Sequence, residues 1–234
     1  CEQPPTAKGA YNGTGYYLLQ LAVTVLADAD NSFDALHHLV LAPLGMTRTR
    51  SASMRWPLPD DEARYTARKI QIEPNVTGAG LDPVQDGYGN NALHRWVGAG
   101  GLSAPPIEIA RLGALFTIAG DTSFLPRFTI DDLGARAIAN AAWKHPSRPG
   151  YGFDALSKQG AGYHGNKGGS LSTTSTGLFL DGDWAAAVAF TSQSTSDESW
   201  YDNGFGPFFD AAREAKLDQG STDLFPHYGM IPLV

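Results

Sequence analysis

The sequence of 234 residues contains only one cysteine, Cys1. A single thiol excludes an intrachain disulfide and every zinc site that needs two or more thiolates. Its terminal position leaves three interpretations open, namely a partner for an interchain disulfide, a thiol released by cleavage, and a fragment boundary. The following Glu2-Gln3-Pro4-Pro5 is typical of an extended linker, which favours a processing nick or a boundary.

Runs of like charge and long apolar runs are also missing. The formal net charge is -7 without clustered Lys and Arg, which argues against a nucleic acid or an anionic membrane surface as partner. The longest apolar segment, 16–27, is interrupted by Gln20 and Thr24, so we expect no membrane span. The six histidines are scattered, without a pair at metal-ligand spacing. We therefore expect no metal site and no cofactor.

The residues that are present predict an α+β protein. With 42% hydrophobic residues the chain can bury a substantial core. Helical patterns dominate the first two-thirds and strand patterns the last third, which predicts a mainly helical lobe with long loops at 1–145 and antiparallel strands with a C-terminal helix at 146–234. The predicted helices are one capped by Thr14, then 33–40, 107–119, 129–143 and 206–217, with an irregular stretch at 47–91.

The segment GNKGGSLSTTSTGLFL-DGD-WAAAVAF predicts two strands joined by a turn. Lys167, Gly168 and Gly169 stand at the start of the first strand, and small side chains from Ser170 onward would let a ligand backbone lie along it. Asp181-Gly182-Asp183 supplies the turn, and the apolar run 184–190 predicts a strand buried on both faces. A plain hairpin with one surface lysine is the alternative interpretation.

Tyr11 lies just before the first predicted helix. A phenol at a helix N-terminus feels the positive end of the helix dipole, and a neighbouring ammonium would favour its phenolate further. That is what a tyrosine acting as general base requires. By itself the position of Tyr11 favours an ordinary aromatic at an element boundary.

The order of these segments resembles that of the penicillin-recognising serine hydrolases, which include class C-like β-lactamases, D-alanyl-D-alanine carboxypeptidases and related esterases. The resemblance extends from about residue 10 to about residue 193. It implies a β-lactamase/transpeptidase-like fold, a helical lobe plus an antiparallel sheet flanked by helices, and an extracytoplasmic location. The matching segments are Tyr11-Asn12-Gly13, Gly15-Tyr16-Tyr17-Leu18-Leu19, Leu41-Ala42-Pro43-Leu44-Gly45-Met46-Thr47, Ala99-Gly100-Gly101-Leu102-Ser103 and Lys167-Gly168-Gly169.

The chain departs from the family pattern at two points. Gly13 stands where the family has an asparagine after the tyrosine, and Asn12 beside it is a partial substitute. No serine is followed three residues later by lysine, so the family's Ser-x-x-Lys nucleophile motif is absent. Because that motif lies far upstream of the tyrosine in the family, we expect this chain to be the C-terminal, incomplete portion of a larger catalytic unit. A terminal nucleophile at Cys1 is a weaker alternative.

The resemblance implies a role for each matched residue. Tyr11 would accept the proton of a serine on an N-terminal segment or chain, while Lys167 would favour the phenolate and hold a substrate carboxylate. Substrate-binding positions would be Asn12, Gly168, Gly169 and Ser170. Substrates would be small peptides, lactams or esters, and the motifs do not separate lactamase, peptidase, amidase and esterase. Two alternatives are a non-catalytic binder of peptides or esters and a structural subunit that partners the N-terminal fragment.

Overall fold

The computed structural model describes residues 13–52, 60–63, 72–73, 83–85, 92–117, 124–126, 129–135, 152–171, 174–191, 207, 210, 211 and 214. Its contacts divide the chain into two compact units. One comprises 1–52, 93–169 and 177–188, and the other comprises 53–92, 170–176 and 189–234. Each unit is therefore assembled from separate stretches of sequence. The predicted division near residue 145 stays a prediction.

Helix α1, Gly13–Leu26, is the first described element. Thr14 lies inside its first turn, so the expectation that Thr14 precedes and caps the helix is wrong. None of its residues is buried, and its apolar side chains are open to solvent, with Val25 79% and Leu26 86% exposed. Apolar residues at helical spacing predict a face that packs. Here that face is largely uncovered by the described residues.

The next elements are short. Helix α2, Ser32–Leu36, begins after Asn31, whose side chain accepts a hydrogen bond from Asp34 N at 3.0 Å, and it continues as a π-helical turn, His37–Leu41. Strands β1, Arg50–Ser51, β2, Ile72–Glu73, and β3, Val84–Gln85, follow. The prediction of an irregular stretch at 47–91 is therefore wrong at these three strands.

Two 3₁₀ turns, Leu93–Arg95 and Val97–Ala99, lead to strand β4, Leu102–Ser103, which pairs antiparallel with β1. Helix α3, Pro106–Ala114, follows with proline as its first residue, a position that proline favours. It is shorter than the predicted 107–119. Residues 129–135 and the described residues 207, 210, 211 and 214 are helical where helices were predicted, and the remainder of both predicted helices lies outside the described residues.

Strands β5, Ala155–Gln159, β6, Gly162–Leu171, β7, Thr174–Asp181, and β8, Trp184–Phe190, form a sheet in the order β5-β6-β7-β8. The single predicted strand after Lys167 is therefore two strands, and Lys167 lies within β6, not at its start. Gly182, at φ +68°, forms the predicted turn between β7 and β8.

Strand β8 has the predicted bounds but not the predicted burial. Its side chains are half-buried, and Phe190 is 42% exposed. The apolar run predicted a strand buried on both faces, but among the described strands β8 is the last of its sheet, and its side chains are less covered than that prediction requires. Burial of an apolar run depends on its place in the sheet, which local sequence does not specify.

The hydrophobic core joins the helices to one face of this sheet. Tyr163 and Ile130 are almost fully buried in it, and its ring contacts include Phe116 against Phe153 at 5.1 Å. Gly113 and Gly134 pack so closely that an added Cβ would lie 2.5 Å from Leu178 and 2.2 Å from Tyr163. The buried members are Leu41, Leu44, Met46, Leu115, Ile130, Leu156, Tyr163, Leu178 and Leu180.

Candidate functional site

Lys167 occupies the middle of strand β6, where its ammonium meets a carboxylate that the sequence analysis did not identify. Lys167 Nζ lies 3.0 Å from Asp154 Oδ1, and Gly168 N donates to Asp154 Oδ2 at 2.6 Å. Both charged side chains are partly exposed, at 39% for Lys167 and 46% for Asp154. The ammonium that was expected to hold a substrate carboxylate thus already contacts a carboxylate of the chain itself.

Asp154 is positioned by the start of the β5–β6 hairpin. The register pairs Ala155 with Asn166, and Asp154 N donates to Asn166 O at 2.9 Å. Asp154 therefore lies one residue beyond the ladder, across from Lys167, and its side chain accepts the hydrogen bond of Gly168 N. Strand β6 continues beyond this point to Leu171.

His164 begins the segment His164-Gly165-Asn166, which lies directly before Lys167-Gly168-Gly169 on strand β6. Its Nδ1 lies 2.6 Å from Asp181 Oδ1, at the end of β6 that adjoins the β7–β8 turn. Residues 164 and 167 are three apart on one strand, so their side chains point to opposite faces of the sheet. The structure therefore does not bring His164 and Lys167 together: His164 pairs with Asp181, and Lys167 pairs with Asp154.

The N-terminal half of α1 lies next to the segment that carries Asp154. A Cβ placed on Gly152, at φ +93°, would lie 3.9 Å from Tyr16 Oη. Gly152 is two residues before Asp154, so Tyr16 and the Lys167–Asp154 pair belong to one neighbourhood within the same compact unit. Tyr11 and Asn12, the predicted base and its neighbour, lie outside the described residues.

Gln20 and Tyr17 fix α1 against the two 3₁₀ turns. Gln20 Nε2 donates to Arg95 O at 3.0 Å, and Gln20 Oε1 accepts from Gly98 N at 2.6 Å. The Tyr17 ring lies 5.4 Å from that of Trp96. The nitrogen and the oxygen of the Gln20 side-chain amide are thus both hydrogen-bonded to backbone groups, which fixes the rotation of α1 about its axis.

The Gly-Gly-Leu-Ser and Pro-Leu-Gly-Met-Thr segments both have structural roles. Ala52 N donates to Gly101 O at 2.9 Å beside the β1–β4 pairing. Gly101 tolerates no side chain, because a Cβ there would lie 2.0 Å from Leu93 O. Leu44 and Met46 are buried in the core. These motifs therefore hold the helical part of the unit together, and the lysine segment of β6 remains the candidate for chemistry.

Within the described ranges, neither a metal nor a membrane is indicated. No cluster of three or more His, Cys, Asp or Glu side chains is placed to hold a metal ion there. No helix in that same part of the chain has the length and apolar character needed to cross a bilayer.

The sequence matches no protein-family model and no curated protein. The structure, in contrast, is similar to several solved structures. D-amino acid amidase from Ochrobactrum anthropi SV3 in complex with L-phenylalanine has a TM-score of 0.62 and 22% identity, over 92% of this chain and 62% of that chain. A β-lactamase/D-alanine carboxypeptidase from Yersinia pestis has a TM-score of 0.56 and 19% identity, over 89% and 56%.

FmtA from Staphylococcus aureus has a TM-score of 0.52 and 14% identity, over 86% of this chain and 49% of that chain. The chain thus spans about half to 62% of the length of these proteins. The TM-scores show a shared fold, whereas sequence identities this low leave the activity open. The chain has the α+β fold of the penicillin-recognising serine hydrolases, as the resemblance implied.

Proposed function

We propose that the complete protein is a serine hydrolase of the penicillin-recognising type that transfers acyl groups from amide, lactam or ester substrates. In it this chain supplies Tyr11 as general base and the Lys167 segment as binding strand. The nucleophilic serine belongs to a Ser-x-x-Lys segment outside the printed sequence, on the same polypeptide or on a partner chain. By the same resemblance we place the protein outside the cytoplasm.

The observation that carries this proposal is the approach of α1 to the lysine strand. Tyr16 Oη lies near Gly152, two residues from the partner of Lys167. Tyr11 is five residues before Tyr16, and chain geometry limits the separation of their Cα atoms to about 12 Å. We propose that Tyr11 Oη and Lys167 Nζ lie about 3 to 6 Å apart, the separation that the mechanism requires.

A second observation supports the separate nucleophile segment. The chain spans only about 60% of the amidase structures it resembles. The apolar side chains of α1, among them Leu18 and Leu19 at 60% exposure each, form a surface of the kind that normally packs against further protein. A segment that covers this surface would also stand beside Tyr11, where the mechanism needs the serine.

We infer the mechanism from the family resemblance. The phenolate of Tyr11 accepts the serine proton while the serine oxygen attacks the carbonyl carbon. The C–N or C–O bond of the substrate then breaks, the departing amine or alcohol takes the proton from Tyr11, and water hydrolyses the acyl-serine ester to the acid and free serine. The Gly169 and Ser170 backbone lines the side of the developing oxyanion. A non-catalytic binder on the same strand is the alternative, because Gly13 replaces the amide expected to hold substrate.

A fluorophosphonate probe tests the enzymatic proposal directly. We expect it to label a serine outside the printed sequence in the complete protein and to leave this chain unlabelled, as peptide mass mapping will show. Labelling of Cys1 or of a serine in this chain would show that the nucleophile is misplaced. Absence of labelling, with the strand still binding peptide, would favour the non-catalytic binder.

Lys167→Ala in the complete protein tests the lysine. With an amide or ester substrate we expect a lower kcat, by about tenfold or more, because the ammonium favours the phenolate of Tyr11. Lys158→Ala is the matched control, since Lys158 also pairs with an aspartate at 3.0 Å but on β5. Equal effects of the two variants on steady-state kinetics would remove Lys167 from the mechanism.

A further inference from the structure

The two donors at the lysine motif, Lys167 Nζ and Gly168 N, are both occupied by one carboxylate. Asp154 places one oxygen 3.0 Å from the ammonium and the other 2.6 Å from the backbone nitrogen. A cation and an adjacent N–H group are the pair of donors that would bind the carboxylate of a substrate. Asp154 thus stands where such a substrate carboxylate would bind.

We propose that Asp154 is a specificity-determining residue that excludes substrates with a free carboxylate beside the reacting carbonyl and favours amides and esters that lack it. This inference rests on the proposed function. It assigns to the site a class of substrate, uncharged or cationic acyl compounds such as amino-acid amides and esters, in preference to carboxylate-terminated peptides and lactam acids.

The backbone holds Asp154 in position for this competition. Asp154 N is hydrogen-bonded to Asn166 O at 2.9 Å, and the paired strand begins at the next residue, Ala155. A group fixed on the same chain presents an effective concentration of about millimolar or higher to its partner. A free substrate carboxylate must compete with this effective concentration to displace Asp154. An uncharged amide has no need for the donors Lys167 Nζ and Gly168 N.

The charge of Asp154 also disfavours the binding of a substrate carboxylate. The ion pair neutralises Lys167, and the approach of a second carboxylate to Asp154 is repulsive. Exclusion of a wrong partner by like charge is an established route to specificity. A ligand with an ammonium group is attracted to the same exposed carboxylate.

The partial exposure of both side chains favours a role in recognition over one in stability. A substrate can reach Asp154 from solvent, and an exposed ion pair contributes little to the free energy of unfolding. Asp154→Asn retains an oxygen that can accept from Gly168 N, so we expect this variant to fold. It removes the charge that faces Lys167.

The chain offers a matched control in Asp131. Its Oδ1 lies 3.0 Å from Lys158 Nζ, and its side chain is 37% exposed. Asp131→Asn changes the net charge by the same amount and keeps an acceptor for Tyr163 Oη, which lies 2.9 Å from Oδ1. A general effect of charge would therefore appear in both variants.

The experiment uses the complete protein labelled with ¹⁵N. N-acetyl-D-alanyl-D-alanine and its C-terminal amide are titrated separately while the Gly168 amide signal is followed. In the native protein we expect the amide to bind about tenfold or more tightly than the acid. In Asp154→Asn we expect the acid to gain about tenfold or more, while the affinity for the amide changes less than about threefold. Asp131→Asn should behave like the native protein.

Equal binding of acid and amide by the native protein would overturn the proposal, and this comparison needs no variant. An unchanged ratio of the affinities for acid and amide in Asp154→Asn would overturn it too. Failure of both ligands to bind at Gly168 would also overturn it. Serine labelling by fluorophosphonate is scored separately. Intact labelling with an unchanged ratio rejects only the role of Asp154, whereas a changed ratio without labelling rejects only the hydrolase.

Discussion

Replacing Tyr11 with phenylalanine in the complete protein is expected to lower kcat by roughly 10²- to 10⁴-fold, the range for loss of a general base. The substitution keeps the ring and removes the only atom that can accept the serine proton. The free energy of unfolding should change little, because the substitution keeps the aromatic ring and removes one hydroxyl. Steady-state kinetics and a denaturant titration measure the two effects separately.

Tyr17→Phe is the matched control for Tyr11→Phe. Tyr17 lies in α1, and its ring packs against Trp96, a contact that phenylalanine retains. Turnover by this control should stay within about twofold of the native value. Unchanged turnover in Tyr11→Phe would remove the tyrosine from the mechanism. Equal losses in both variants would point to a disturbed helix.

Local sequence signals predicted the turn between β7 and β8 and the bounds of β8. The turn at 181–183 depends on one glycine with positive φ, which Asp-Gly-Asp supplies within three residues. The bounds of β8 follow from a short apolar run that ends in polar residues. Such features depend on neighbours in the chain, and a single sequence contains them.

Features set by distant pairing were not predictable in the same way. Asp154 faces Lys167 because the β5–β6 register pairs Ala155 with Asn166, and a shift of one residue would turn the carboxylate to the other face. The sequence near residue 154 does not specify that register. The exposure of β8 depends likewise on its place in the sheet, and that of α1 on what packs over it.

The family resemblance identified segments correctly without identifying what they do. Leu102 and Ser103 of Gly-Gly-Leu-Ser pair with β1, whereas Leu44 and Met46 of Pro-Leu-Gly-Met-Thr are buried in the core. Helix α3 is connected to the chain that leads from the π-helical turn to β1. Glu108 is the side chain that makes this connection.

Glu108 is fully buried in the first turn of α3, 0% exposed, and it reaches sixty residues back along the chain. Its Oε1 accepts from Arg48 N at 2.8 Å, and its Oε2 accepts from Thr49 Oγ1 at 2.5 Å. Thr49 is itself buried, at 4% exposure. Removal of the carboxylate therefore leaves a backbone N–H and a buried hydroxyl without their acceptor.

Glu108→Ala is expected to lower the free energy of unfolding of the complete protein by about 3 to 5 kcal/mol, measured from the denaturant midpoint and slope. Glu108→Gln, which keeps the volume and one acceptor oxygen, should cost about 1 to 2 kcal/mol. The difference between the two variants separates the hydrogen bonds and the cavity from the charge. A loss below about 1 kcal/mol in Glu108→Ala would show that α3 is held to the β1 segment by apolar packing alone.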